Sequence, residues 1–416
     1  MPSNVTKKLT IGATSLFALA VAQLAAATPA SAQVPLAPPP PAGPPAAEAP
    51  AAPAGPTAMT TPAMSGPLVA NPNPFHLPVG PLGEVYVTGV GSVLGMGQTN
   101  PVLGVDKRFN PDISNIQASL QNTEGPFQFF LQPGAYSLPT LGIPYKNVTD
   151  MVTSTKLFGG LPVAWGKMVF TDTFNVQGGK LPTLIGAEYM FTFQNMNIAR
   201  GLLWAQEPVV QKGIQANLTT GPVAWSLSFN DGFYSDQYNY VTGSATWTIN
   251  PTNSVVISGG GPTSRVKTTT GAALPQYNNS MVIAAAYTYN DAPWTITPYI
   301  QYTHVDADAS LGIFGSASTF GGAVLANYKI NDLWNLAGRV EYIGSDGIGM
   351  GGGLLGYGPN SSAMSFTLTP TVQLDKIFLR GEASVTQLFS TTAGLAFGGG
   401  NQKTQARFML ETGVIF

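Results

Sequence analysis

The sequence contains no cysteine and only two histidines, His76 and His304. The lack of cysteine excludes disulfide scaffolds, thiolate metal sites and cysteine nucleophiles. Basic and acidic residues are nearly balanced, with 18 Lys plus Arg against 20 Asp plus Glu, and no basic patch of the kind that binds nucleic acid is visible. We therefore expect no catalytic residues, no metal, no cofactor and no nucleic-acid partner.

Charge and long apolar runs are also scarce. Charged residues make up 9% of the chain, against roughly 25% in a typical soluble protein. Beyond the N-terminus no window reaches the ~18 continuous apolar residues of a helical membrane span. The 21 Phe and 15 Tyr are too many for a disordered chain, and a soluble globule with so little charge would be sticky. Low charge, 48 glycines and many aromatics favour an all-β transmembrane barrel.

The N-terminus has the features of a secretory signal. Lys7 and Lys8 precede an apolar, alanine-rich run, and Ala30 and Ala32 fit the small-x-small pattern of signal peptidase sites. We predict a cleaved signal peptide over residues 1–32, with a retained membrane anchor as the alternative. Residues 33–74 are rich in Pro and Ala, which favours polyproline II and a disordered periplasmic segment. The barrel domain is expected over residues 75–416.

Several stretches alternate between apolar and polar residues with the period of a strand. In "ARFMLETGVIF" (406–416), Phe408, Leu410 and Val414 share one face, and Arg407 and Glu411 share the other. "LWNLAGRVEYI", "KIFLRGEASVT" and "WTITPYIQYTH" repeat this pattern, and the last predicts a bulge at Pro298. A soluble β-sandwich also alternates, but it would bury the charged face in a dry core, whereas a barrel lumen is wet.

The connections set the topology. Short ones are predicted at 122–125, 171–173, 219–222, 250–253, 290–293, 330–332 and 370–374, and longer Gly-, Ser- and Asn-rich loops lie between them, as at 261–279, 305–318, 345–361 and 387–404. This alternation indicates an antiparallel up-and-down barrel of 16 strands (14 also fits), with short periplasmic turns, long external loops and both termini in the periplasm. Sixteen strands leave an open lumen.

One external connection, 182–211, is unusually apolar. An exposed loop with Met190, Phe191, Phe193 and Trp204 should pack somewhere, so we expect it to fold into the lumen. Its charged residues would then face those of the wall across a constriction and create a transverse field. The candidate pore-lining residues are Glu188, Arg200, Glu207, Arg339, Glu341, Arg380, Glu382, Arg407 and Glu411. Alternatively, these charges form salt bridges that stiffen the wall.

The same region carries a resemblance to a known family. "GGKLPTLIGAEY", "NIARGLLWAQEPVVQKGIQANL" and "WSLSFNDGF" resemble the OmpL-like β-barrel porins of Gram-negative bacteria, most clearly over 174–232 and more broadly over 84–416. The terminal Phe416 resembles the C-terminal signature that the barrel assembly machinery reads. The resemblance implies an outer-membrane pore in contact with lipid. On this reading small hydrophilic solutes diffuse passively through it, and a homotrimer is possible.

Two other functions remain open. One is a binding or adhesion barrel with a plugged lumen. The other is an outer-membrane hydrolase around His304, which lies close to Asp306 and Asp308 in the sequence. Asp106 and Asp112 are also candidate calcium ligands, with a solvated external loop as the alternative.

Overall fold

The computed structural model describes residues 63–154, 157–267, 273–347 and 354–416, all in one compact unit. Strands dominate it: β1 Phe75–Pro78, β2 Glu84–Gln98, β3 Phe109–Asn122, β4 Phe127–Gln132, β5 Gly134–Tyr136, β6 Val163–Thr171, β7 Phe174–Pro182, β8 Val210–Thr220, β9 Val223–Asn230, β10 Tyr240–Asn250, β11 Asn253–Pro262, β12 Met281–Asp291, β13 Trp294–Val305, β14 Ala317–Lys329, β15 Trp334–Gly347, β16 Ser362–Leu374, β17 Ile377–Ser390 and β18 Thr404–Ile415.

Helices are short in the described residues. Two are α-helical, Val148–Thr153 and Pro275–Asn278, and four are 3-10 turns, Gly80–Leu82, Thr192–Gln194, Trp204–Gln206 and Ala309–Leu311. In the parts of the chain that the structure describes, no helix has the length and apolar character needed to cross a membrane.

The strands close into the expected antiparallel barrel of 16 strand positions. Each strand from β6 to β18 pairs with the next, and β18 closes the barrel on β2, from Arg407 opposite Gln98 to Ile415 opposite Val90. β4 and β5 share one position, since both pair with β3. The break between them lies next to Gly134, which has a φ of +152°. Its backbone lies so close to β3 that a Cβ at this position would be 2.2 Å from the carbonyl oxygen of Ile116, so the position requires glycine. β1 is a short extra strand on the start of β2.

Short and long connections alternate around the barrel. We call the end with the connections 123–126, 172–173, 221–222, 251–252, 292–293, 330–333 and 375–376 the turn end, and the opposite end the loop end. The predicted turn at 370–374 is wrong, because β16 continues to Leu374. Pro370 faces outward there, in a gap of the ladder to β17 that leaves the register unchanged. The predicted bulge at Pro298 is also absent, since β13 and β14 stay in register through Pro298 opposite Val324.

The two faces of the strands separate as predicted. On β18, Phe408 and Leu410 are exposed to the outside, and Arg407 and Glu411 are buried inside. Exposed aromatic side chains gather near the turn end: Trp225, Trp247, Tyr328 and Trp334, with the half-buried Trp294 beside Tyr328. Such a girdle is typical of a barrel at a membrane interface. At the closure, the backbones of Phe416 and Gly89 exchange hydrogen bonds of 2.7 and 2.9 Å.

Candidate functional site in the barrel lumen

The third connection at the loop end, 183–209, lies inside the barrel. β7 ends at Pro182 and β8 begins at Val210, so both ends of this loop are fixed to neighbouring strands. Its apolar side chains, including Phe191, Phe193 and Trp204, are buried. Its backbone contacts the inward side chains of β15 and β17, on the far side of the lumen, and its Thr192 side chain contacts Glu411 of β18.

Arginines of the barrel wall bind the carbonyl groups of this loop. Arg380 donates three hydrogen bonds of 2.9 Å, to the carbonyl oxygens of Thr192, Asn195 and Met196. Arg339 donates one of 2.7 Å to the carbonyl of Ala199. Because a guanidinium group has five donors in a fixed fork, one wall residue can hold several carbonyls that no helix or strand satisfies.

Carboxylates of the wall bind the amide groups of the same loop. Glu382 accepts from the amides of Ile198 and Ala199, at 2.5 and 3.2 Å. Glu341 accepts from the amide of Leu202 at 2.7 Å, and Glu411 accepts from the hydroxyl of Thr192 at 2.6 Å. Charge-assisted bonds of this length are the stronger hydrogen bonds in proteins, so the wall fixes the path of the loop.

The loop brings three charged side chains of its own. Glu188 forms an ion pair with Arg339 at 2.6 Å and accepts from the amide of Gly201 at 2.9 Å. The guanidinium of Arg200 lies 5.6 Å from the ring centre of Trp204. The carboxyl of Glu207 lies 3.5 Å from the hydroxyl of Tyr299.

The structure therefore brings all nine candidate pore-lining residues to the inside of the barrel, and each is at most 4% exposed. Their charges are engaged mainly with loop backbone and with each other. Their contribution to a constriction stays a prediction.

A second inward segment was missed by the sequence reasoning. Residues 137–147, which follow β5, also contact the wall: Arg407 donates to the carbonyls of Thr140 and Ile143, the latter at 2.7 Å. This segment pairs with the long loop, because the amide of Leu141 bonds the carbonyl of Arg200 at 2.9 Å. The apolar run "SLPTLGIPY" was the available signal, by the same argument as for 182–211.

Asp106 and Asp112, the candidate calcium ligands, hold this segment instead. Asp112 accepts from the hydroxyl of Tyr145 at 2.8 Å and from the amide of Val148 at 2.9 Å. Asp106 lies 4.0 Å from Arg407. Among the described residues, no group of three or more acidic or histidine side chains is arranged to hold a metal ion.

Residues 63–70 close part of the turn end. The amides of Ser65 and Gly66 donate to the carbonyl of Gln194 in the long loop, at 2.8 and 3.2 Å. Val69 exchanges two hydrogen bonds with the side chain of Gln373 on β16, at 2.8 and 2.9 Å. Leu68 is buried between them. The predicted signal peptide 1–32 and residues 33–62 of the Pro/Ala-rich segment lie outside the described residues.

The inner wall of β6 to β11 differs from the rest of the lumen. Many of its inward side chains are polar and part-exposed: Asn175, Gln177, Asn217, Ser226, Ser244, Thr246 and Ser254. The structure describes these six strands in full, and Lys167 is their one charged residue on the inward face, opposite Gln177 on β7. Its amino group lies 5.6 Å from the ring centre of Trp165. The loops thus pack on the charged half of the lumen and leave a nearly neutral half in contact with water.

His304 lies on the outer wall at the loop end. Its ring nitrogens are 2.8 Å from the hydroxyl of Ser318 and 3.2 Å from the carboxylate of Asp306. His304 and Ser318 are paired residues of β13 and β14 on the lipid-facing side. Asp308 binds Arg265 and caps the turn at Ser310, and it does not contact His304 in the described contacts.

Asp231, at the start of the connection 231–239, is a buried acid beside Lys212. Burial raises the pKa of its carboxyl to about 6, although the backbone amide and the amino group of Lys212 oppose the shift. Lys212 in turn lies 4.2 Å from the ring centre of Tyr234.

This raised pKa predicts a pH-dependent stability. Because the folded-state pKa of Asp231 exceeds the ordinary value, folding favours the protonated carboxyl. The stability that this carboxyl contributes is fully present below about pH 4 and is lost as the pH rises through about 6. We expect the free energy of unfolding of the wild type, measured against Asp231→Asn by denaturant titration, to fall by up to about 3 kcal/mol between pH 4 and pH 7. Asp172→Asn, in the exposed turn 172–173, is the control. A wild-type-minus-Asp231→Asn difference that stays constant with pH would contradict the assignment.

A family model described as "Putative beta-barrel porin-2, OmpL-like" matches residues 87–416. No relative was found among curated protein sequences. Solved structures share the fold at low identity. An anion-selective porin from Comamonas acidovorans matches with a TM-score of 0.55 and 13% identity, over 80% of this chain and 99% of that one. The outer-membrane channel DcaP of Acinetobacter baumannii matches with a TM-score of 0.54 and 10% identity, over 80% of this chain and 97% of that one. The trimer form of OmpT from Vibrio cholerae matches with a TM-score of 0.52 and 10% identity, over 80% of this chain and 99% of that one.

Proposed function

Because the chain belongs to the OmpL-like β-barrel porin family, it is a porin of the bacterial outer membrane, and we propose that small hydrophilic solutes diffuse passively along one half of its lumen. The observation that carries this proposal is the divided inner wall. Loop segments 137–147 and 183–209 cover the charged half, and the half formed by β6 to β11 keeps part-exposed Asn, Gln, Ser and Thr side chains.

The chemistry of this path fits weak, reversible contact. Neutral amides and hydroxyls exchange hydrogen bonds with a polar solute without the cost of removing a charge from water. Conduction requires that each binding step be shallow enough for the solute to leave. No cofactor takes part in such transport.

The orientation and the partners are also proposals. We propose that the short turns and both termini lie in the periplasm and that the long loops face outside. The outward aromatic and aliphatic side chains contact outer-membrane lipid, and the exposed Phe416 at the closing strand is the signal for the barrel assembly machinery. A homotrimer is possible for this barrel size.

The nine candidate residues act, in this account, by holding the narrowing segments in place. Arg339, Arg380 and Arg407 bind loop carbonyls, and Glu341, Glu382 and Glu411 bind loop amides or hydroxyls. Glu188, Arg200 and Glu207 are their counterparts on the loop. The constriction is thus a backbone structure fixed by charged side chains.

Single-channel conductance of the refolded protein in a planar bilayer tests the function. We expect stable current steps in concentrated KCl, and larger steps after shortening of the loop 183–209. A heat-modifiable, correctly folded barrel that gives no current would contradict the porin proposal and favour the adhesion barrel with a plugged lumen.

Deletion of residues 63–72 should widen the periplasmic mouth. The segment contacts both Gln194 and Gln373, so its removal opens the space between the long loop and the wall. We expect a conductance roughly twofold higher, since ion flow follows the open cross-section. Deletion of residues 41–50 is the matched control of equal length. Equal conductance of the two deletions would show that residues 63–70 do not obstruct the path.

The contact between His304 and Ser318 keeps a second candidate function testable. A serine, a histidine and an aspartate on the lipid-facing wall fit hydrolysis of an acyl ester in the outer leaflet. Hydrolysis of phospholipid micelles that is lost in both Ser318→Ala and His304→Ala would establish this activity. Release of fatty acid that persists in these variants would remove it.

A further inference from the structure

A separate cavity lies at the loop end, where four other connections meet the long loop. Its volume is about 310 Å³. Most of its wall is apolar or aromatic, with contributions from Leu202, Phe158, Phe233, Tyr277 and Tyr357. Among the described residues that line it, Glu207 is the one charged residue, and its carboxyl lies beside Gly186 and Tyr299.

The volume sets the size of a fitting molecule. A cavity of about 150 Å³ lined by Leu, Ile and Phe takes up benzene. A cavity with a similar wall and about twice that volume therefore fits a molecule of two fused rings. Small-molecule sites are typically of about this size or larger, with a mainly apolar wall and a few polar groups that fix the orientation.

The walls are held in place before any ligand arrives. The hydroxyl of Tyr357 donates to the carbonyl of Gly142 at 2.8 Å, and that of Tyr277 donates to the carbonyl of Leu354 at 2.7 Å. Only glycine fits at 142, since φ is +78° and a Cβ would lie 2.6 Å from the side chain of Leu202. Both tyrosine hydroxyls therefore already donate their hydrogen bonds within the protein, and a ligand needs no acceptor group to satisfy them.

Two acceptor atoms of the wall have no hydrogen-bond partner among the described residues, Oε2 of Glu207 and Oε1 of Gln206. Gln206 is buried, and its Nε2 donates to the carbonyl of Leu354 at 2.8 Å, but its Oε1 has no hydrogen-bond partner among the described residues. A buried acceptor without a partner costs free energy that a bound N–H or O–H group would recover. A charged ligand would lose its hydration in this apolar wall, which favours a neutral one.

We propose that this cavity binds neutral bicyclic aromatic molecules with a single N–H or O–H donor, of the indole or naphthol class, with the donor bonded to Oε1 of Gln206. The inference deepens the proposed function and rests on it, because it adds an aromatic class of solute that stops at the outer entrance of the porin. Hydrophilic solutes pass along the polar wall of β6 to β11 without using the cavity.

Binding of 2-naphthol to the refolded protein in detergent micelles tests the proposal, with saturation-transfer NMR as the readout. We expect 2-naphthol to bind ~5-fold more tightly than 2-methoxynaphthalene, the effect of one ordinary hydrogen bond. Gln206→Leu should bring the two affinities together. Ala205→Phe, which fills the cavity, should abolish binding of both, and Ala383→Phe on the outer face is the matched control.

Equal binding of 2-naphthol to Ala205→Phe and Ala383→Phe, both heat-modifiable, would overturn the proposal, because it would mean partition into the micelle or the lipid face. Single-channel recording separates this failure from failure of the porin function. A conducting channel without site-specific binding removes only the cavity proposal. A silent channel that still binds 2-naphthol in a Gln206-dependent manner upholds the site and removes the porin function.

Discussion

Replacement of Lys167 by glutamate is expected to shift the selectivity of the channel from anions towards cations. Lys167 is the one charged side chain on the inward face of β6 to β11. The nine charged residues of the opposite half, six on the wall and three on the long loop, are buried, so their fields act on the loop backbone at short range. A single part-exposed amino group next to Trp165 then dominates the potential along the water-filled half.

The reversal potential in a tenfold KCl gradient measures this effect. We expect a potential of anionic sign for the wild type, a value close to zero for Lys167→Gln and a cationic sign for Lys167→Glu. Lys403→Glu, at an exposed position of the connection 391–403 at the loop end, makes the same change in net charge and should have a much smaller effect. A wild type that is already cation-selective, or two glutamate variants with the same reversal potential, would show that ions do not pass Lys167.

Replacement of Arg380 by methionine is expected to release the long loop from the wall. The change removes three hydrogen bonds to loop carbonyls and the ion pair with Glu411 at 3.5 Å. Loss of one member of a buried charged pair costs about 3–5 kcal/mol of stability. The barrel avoids most of this cost if Thr192–Met196 moves away from the wall, because only the loop is then released. We therefore expect larger and noisier current steps, and faster cleavage by protease within 183–209, in a barrel that still closes.

Arg265→Met is the matched control, because Arg265 lies in an outer loop with ion pairs to Asp306 and Asp308. It should leave the current steps unchanged. If Arg380→Met conducts like this control and is cleaved at the same rate, the loop is held by its apolar contacts, and the charged residues do not anchor it.

The strands and their faces could be predicted because alternation is a local signal. Glu84–Gln98 and Trp294–Val305 agree with the predicted bounds to the residue, and the inward side of β15, β17 and β18 was assigned correctly. The error at 370–374 has a local cause as well. Proline is a turn signal in the sequence, but an outward proline such as Pro370 is tolerated in a strand where the ladder has a gap.

The filling of the lumen could be predicted only in part. The apolar content of 182–211 indicated an inward loop, yet nothing local shows that Arg380 binds three of its carbonyls from almost 190 residues away. Segment 137–147 had the same apolar signal and was overlooked. Residues 63–70 gave no signal, because their contacts with Gln194 and Gln373 are made mostly by the backbone, whose partners the side-chain pattern does not record.

The most direct test of the divided lumen uses the absence of cysteine. Single cysteines at Gln177 and Ser226, on the part-exposed half, should react with a charged methanethiosulfonate reagent added during recording, and the current should fall in steps. Cysteines at Thr367 and Ser384, which are buried beneath the loops, should leave the current unchanged. The reverse result, with block at Thr367 and Ser384 and none at Gln177 and Ser226, would contradict the account.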